Sequence, residues 1–189
     1  MPTALDVARH LIRLGAAEEE PDYLSPLRLQ KLLYYVQGWH LGAFERPLFS
    51  ERIEAWKYGP VVPSVYQAFK SYDDQGIRPS AEEEPSYLSR ADRAFIDSVW
   101  AGYKQFSAIG LYEKTHSEPP WRNARGNLPA GAPSNAEIPQ EELRKFFRPL
   151  TEERLVPGLP PEEAYAALEQ FERGEGRPAK EVFARIRAR

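Results

Sequence analysis

Apolar residues recur along this chain at spacings of three and four, and that period predicts helices before anything else is considered. Leu5, Ala8, Leu11 and Ile12 form one such stripe, ending near Gly15. Glu18-Glu19-Glu20-Pro21-Asp22 reads as a solvated connection. Ser25 then caps a second helix, with Pro26 at the first position, where its missing N–H costs nothing. Its inward stripe is Leu29, Leu32, Leu33, Val36 and His40, and Gly42 marks the predicted end. Between residues 48 and 57 the period changes to two, with Phe49, Glu51, Ile53 and Ala55 against Ser50, Arg52, Glu54 and Trp56. This predicts a short strand in a small two-stranded element.

Gly59-Pro60 follows. Gly59 can take backbone angles closed to other residues, and Pro60 removes a donor and holds Gly59 out of the α region. The pair is too punctuated for a strand interior and predicts a sharp turn into a helix over 64–72 that buries Val65, Ala68 and Phe69. Asp73-Asp74-Gln75-Gly76 ends that helix, and residues 79–85 read as an acidic loop. Ser89 with Asp92 three residues on is a capping-box pattern. It opens a helix whose core face is Phe95, Ile96, Val99, Trp100 and Tyr103. A short helix covers 107–114. Residues 117–135 hold four Pro and two Gly in 19 positions, which predicts a loop. Ile138 adds a strand residue. A last helix runs from Gln140 to Phe147 and is closed by Pro149.

The pattern then shifts. Pro157-Gly158-Leu159-Pro160-Pro161 reads as a linker, and two short amphipathic stretches follow, separated by Gly174-Glu175-Gly176. One carries Ala164, Tyr165, Leu168 and Phe171; the other Ala179, Val182, Phe183 and Ile186. Isolated helices of ~12 residues are marginal in water, so these stripes need a surface to cover. The expected fold is mainly α, about six helices around an aromatic-rich core with a small β element. It divides into residues 1–150 and a helical extension over 151–189.

Composition narrows the chemistry. The 189 residues carry a net charge of −3 and are 12% aromatic. No global basic field recruits nucleic acid, and large rings should fill much of the core. Cysteine is absent, which excludes disulfides, zinc thiolates and a cysteine nucleophile. Asp6, Arg9, His10 and Arg13 interrupt the first apolar stripe, so a signal peptide is not expected. No apolar run nears the ~20 residues of a membrane span, and a cytoplasmic location is expected. The three histidines, His10, His40 and His116, show no paired-ligand spacing. No Gly-x-Ser-x-Gly, phosphate loop or His-Glu-x-x-His is present. Neither a metal, nor a cofactor, nor catalysis is expected.

Three segments then stand out together. They are Leu29-Gln30-Lys31-Leu32-Leu33-Tyr34-Tyr35 with Gln37-Gly38-Trp39-His40-Leu41; Pro47-Leu48-Phe49 leading to Ile53-Glu54-Ala55-Trp56-Lys57-Tyr58-Gly59-Pro60-Val61-Val62-Pro63; and Thr115-His116 with Pro120-Trp121. In order and spacing they resemble the Panacea domain, the SocA-like antitoxin family of bacterial and phage toxin–antitoxin pairs, over roughly residues 5–148. The resemblance implies a non-enzymatic protein that binds and neutralises a cognate toxin. Two other roles remain open: a proteolytic adaptor that delivers its bound partner to an energy-dependent protease, and a DNA-binding autorepressor, which the acidic balance disfavours.

The individual residues admit two readings each. Lys31, Tyr35 and Trp39 share a helix face; they are either core rings covered by a lysine stem or anchors for a partner. Trp56, Lys57 and Tyr58 either scaffold a turn or present a cation against a ring. Gly59 and Pro60 shape that turn. His116 reads as a helix-end residue bonding the last carbonyls, with Trp121 packed over the loop. Residues 168–186 resemble the toxin-wrapping ends of ParD- and RelB-type antitoxins. Leu168, Phe171, Val182, Phe183 and Ile186 would then contact the toxin, although a hairpin folded on the domain or a homodimer contact fits the same stripes.

Overall fold

A computed structural model describes residues 1–80, 87–129 and 131–153. Within them the chain is mainly α with a small sheet. The elements are α1 (Ala4–Ala16), α2 (Pro26–Phe44), β1 (Ile53–Trp56), β2 (Gly59–Val61), α3 (Pro63–Phe69), α4 (Arg90–Tyr103), α5 (Ala108–Ser117), α6 (Pro119–Arg125), β3 (Glu137–Ile138) and α7 (Gln140–Glu153). A 3-10 turn, Lys70–Tyr72, extends α3. The strands form an antiparallel sheet in the order β2-β1-β3, with Ala55 opposite Pro60 and Ile53 opposite Ile138.

Local signals set most of the helix starts. Thr3 and Ser89 close capping boxes with Asp6 and Asp92, and Ser25 and Ser107 accept from the amides of Arg28 and Gly110. The organising element is α2, which packs against α1, α3, α4, α5, α7 and β2. From Arg28 to Gly38 every residue of it is buried. A helix covered all round normally has to be apolar, yet α2 buries Arg28, Gln30, Lys31, Gln37 and His40. Their side chains supply bonds that irregular backbone lacks. Gln37 Nε2 donates to the Phe49 carbonyl at 2.7 Å, and its Oε1 accepts from the Leu48 and Phe49 amides at 2.9 and 3.3 Å. Gln30 Oε1 accepts from the Val62 amide at 2.7 Å. Burial lowers the His40 imidazole to about 4; its Nδ1 lies 2.7 Å from the Arg46 carbonyl.

The second half of α2 is closed by α7. Phe147 is fully buried and meets Tyr34, Tyr35 and Trp39 edge to face at centroid distances of 5.7, 6.2 and 5.4 Å. This approach requires glycine: a Cβ at Gly38 would overlap the Phe147 ring, and one at Gly42 would lie 2.8 Å from the Phe147 carbonyl carbon. Gly42 therefore does not end α2, which runs on to Phe44 and stops at Glu45 in the left-handed region, φ 55°.

Several expectations are corrected. The mainly α fold with a small β element is as expected, and the described residues hold seven helices and three strands where about six and two were expected. Residues 117–135 are not all loop: Pro119 and Pro120 occupy the first positions of α6, where a missing N–H is harmless. Gly59 and Pro60 lie inside β2, because β2 is an edge strand that does not need the proline donor. Ala68 is exposed. Pro149 does not close α7, which continues past position 150 to Glu153, with buried Thr151 bonding the Gly42 carbonyl at 3.3 Å. Residues 81–86 of the acidic loop and the stripes beyond 153 lie outside the described residues. No described helix is long and apolar enough to cross a membrane.

Removal of the ring that locks α7 onto α2 gives a direct check. Phe147→Ala should lower the unfolding free energy of the full chain by about 3–5 kcal/mol in urea denaturation. A loss below about 1 kcal/mol would show that α7 is not part of the core.

Candidate functional site

The hairpin turn that joins β1 to β2 is held from behind by side chains of the surrounding helices. Lys57-Tyr58 forms the turn, and Gly59 follows at φ 97°. Glycine is required there for conformation and for space, since a Cβ would lie 2.6 Å from Lys31 Nζ and 3.2 Å from His116 Cε1.

Side chains from three helices hold the carbonyls around this turn. Lys31 Nζ, from α2, donates to Pro60 O at 3.0 Å. Trp121 Nε1, from α6, donates to Trp56 O at 3.0 Å. Arg125 Nη1 donates to Ala55 O at 3.2 Å, and its Nη2 donates to Pro129 and Ala132 at 3.0 and 2.7 Å. Its guanidinium also lies 4.9 Å from the Trp121 ring centre. His116, in the last turn of α5, places Nε2 3.1 Å from Lys57 O and Nδ1 2.7 Å from Tyr112 O. Its ring lies between Tyr112 and Trp121, with centroids 3.8 and 4.0 Å away.

Glu118 ties this layer to α2. Its two carboxylate oxygens accept from Tyr34 Oη at 2.8 Å and Tyr35 Oη at 3.0 Å, and Lys114 Nζ lies 3.6 Å away. Burial pushes the Glu118 carboxyl above its ordinary value, against the two hydroxyls and Lys114, which pull it down. Burial and the Glu118 charge both push the tyrosine hydroxyls up, so they stay protonated donors.

In front of the turn lies a cleft of about 870 Å³. Leu27, Trp56, Tyr58, Val61 and Tyr66 give it an apolar and aromatic lining. Lys31 is at its inner wall, and Lys57, Lys70 and Asp73 are among its charged lining residues. Tyr58 is 59% exposed, with Lys57 Nζ 5.0 Å from its ring centre. Trp56 is fixed by its bond to Glu54 Oε2 at 2.6 Å and by an edge contact with Tyr66 at 4.9 Å. The cleft is concave and mainly apolar and aromatic, the general character of ligand-binding pockets. Among the described residues no group of three His, Asp or Glu side chains is arranged to hold a metal ion.

The structure separates the residues singled out from sequence. Lys31, Trp56, Lys57 and Tyr58 come together at the cleft, with Gly59, Pro60, His116 and Trp121 forming or backing the turn. Tyr35 and Trp39, further along the same helix, do not line the cleft. Tyr35 is fully buried and stacks on Tyr103 at 4.1 Å, and half-buried Trp39 donates to Tyr103 Oη at 2.9 Å. Leu168, Phe171, Val182, Phe183 and Ile186 lie outside the described residues. Sequence reasoning missed the parts played by Glu118, Arg125, Tyr66 and Lys70. Glu118 carried a signal: an acidic residue directly before Pro119-Pro120 sits where a helix begins.

The chain thus folds as a helical domain whose aromatic turn is fixed from behind and open in front. Residues 29–122 match the family model of the antitoxin SocA-like Panacea domain, so the chain carries a domain of this family. It is also 46% identical over 65 residues to antitoxin SocA of Caulobacter vibrioides (strain NA1000 / CB15N), a match that spans 34% of each chain. No solved structure matches.

Lys31 offers a test of this geometry. Burial brings its ammonium down from 10.5 to about 7. Between those values the unfolded chain binds a proton that the folded chain does not, so this residue makes stability rise with pH; below about 7 the cost of burying the charge is fully present. Lys31→Met removes that cost and its pH dependence. The stability difference between variant and parent should therefore shrink by up to about 1.4 kcal/mol per pH unit above pH 7. Urea unfolding between about pH 6 and 9 reads it, and parallel profiles would mean that Lys31 stays charged in the fold.

Proposed function

We propose that this protein is an antitoxin that binds a cognate protein toxin directly and holds it in a non-toxic complex, with no reaction catalysed. The Panacea-domain match and the likeness to antitoxin SocA support the role. The observation that carries direct binding is the cleft: an aromatic surface on a turn whose backbone is already bonded from three helices. A preorganised surface of this kind pays little ordering entropy on association. Tyr58 is the anchor, since tyrosine and tryptophan dominate binding hot spots.

The toxin is sought in the adjacent reading frame. Co-expression of the full chain should restore growth to cells making that product, and the two should co-purify. Tyr58→Ala should weaken the complex by about 2 kcal/mol or more, roughly thirtyfold, with melting unchanged because the ring is exposed. Full affinity in Tyr58→Ala, with rescue lost in the Phe171→Asp/Phe183→Asp variant, would move the contact to the 151–189 extension.

A further inference from the structure

The cleft beside the turn is open at the front, and the form of its occupant follows from what is already bonded around it. β2 is an edge strand, the usual template for adding a partner strand. Here one of its backbone groups and one just beyond its end are taken. The Pro60 carbonyl accepts from Lys31, and the Val62 amide that follows the strand donates to Gln30. Residue 60, being proline, has no amide to offer. Strand addition is therefore blocked at the cleft, and an occupant enters by its side chains.

The lining decides their chemistry. The inner surface is apolar and aromatic, which selects a large apolar side chain. The exposed charged groups of the lining are two lysines, Lys57 and Lys70, against one carboxylate, Asp73. Lys57 and Lys70 are exposed and form no ion pair among the described residues. Lys31 is fully buried, with one carbonyl oxygen as acceptor and no carboxylate partner among the described residues. The chain as a whole is acidic, with a net charge of −3, so this cationic lining is a local departure from the overall field.

We infer that the cleft receives an acidic segment of the partner protein, an aromatic or leucine side chain seated against Trp56, Tyr58 and Tyr66 with a neighbouring Asp or Glu facing Lys57 and Lys70. This rests on the antitoxin reading in that the partner is the toxin, and it names the chemistry of the surface the toxin must present. Exposed charge pairs at a rim act chiefly on association rate and on salt dependence. The lysines therefore steer the segment in, and the aromatic lining retains it.

The test uses a probe of defined origin, a random dodecapeptide library displayed on phage and panned against the immobilised full chain. Selected peptides should pair Trp, Phe or Leu with nearby Asp or Glu. Their association rate should fall about tenfold in Lys57→Glu/Lys70→Glu and likewise at high salt. Their dissociation should speed up in Tyr58→Ala. Both variants alter exposed side chains, and melting temperatures equal to the parent's confirm the fold. Recovery of no peptide, selection of neutral or basic peptides, or unchanged association in the double lysine variant would overturn the inference. If the full chain and the double lysine variant rescue cells equally well, the acidic-segment inference falls and the antitoxin reading stands. If the parent chain fails to rescue while acidic peptides still bind the cleft, the reverse holds.

Discussion

A helix buried on every side must find a partner for each polar side chain it carries, and in this protein that constraint falls on α2. It meets the constraint by bonding backbone. Gln37 takes the chain at Leu48 and Phe49, Gln30 takes it at Val62, and Lys31 takes it at Pro60. The segments between α2 and α3 are too short and irregular to satisfy themselves, and a three-stranded sheet offers few rungs. Leaving such groups unpaired in the interior would cost about 1–3 kcal/mol each. The polar residues of α2 are thus the reason a sheet this small can hold its position.

The same logic connects fold to surface. Glu118 is fixed by Tyr34 and Tyr35 of α2, and one turn away His116 and Trp121 hold the carbonyls of Lys57 and Trp56. The hairpin turn is therefore bonded from behind by elements that belong to the core. What remains free is its front, where Tyr58 and Lys57 face the cleft. Rigidity and exposure coexist because the backbone is bonded on one face and the side chains project from the other.

Much of this was legible in sequence, and the limit has a physical form. Helix starts at Ser25 and Ser89 were legible because a cap and its amide lie three residues apart. The apolar stripe of α2 was legible for the same reason. The sense of Lys31 was not, because its acceptor is 29 residues away, nor was that of Tyr34, whose acceptor is 84 away. A local reading leaves them as core rings under a lysine stem or as anchors for a partner, and names neither acceptor. Pro119-Pro120 misled differently: two prolines read as a break, whereas at the first positions of α6 they start a helix. At the site, Trp56 to Pro60 stood out by composition, but Tyr66 and Lys70 reach the cleft only through the placement of α3.

The seating of α7 on the glycine face of α2 has a consequence for how the molecule comes into being. Gly42 and Thr151 are bonded across 109 residues. At ribosomal speeds of about 5–20 residues per second, roughly 5–20 s pass between the emergence of one and of the other. Throughout that interval the nascent chain carries Tyr34, Tyr35 and the Gly38–Gly42 groove without their cover. The protein cannot complete its core segment by segment as it is made; it closes late, with α7, and a chain interrupted before Phe147 leaves the ribosome with its central helix bare on one side.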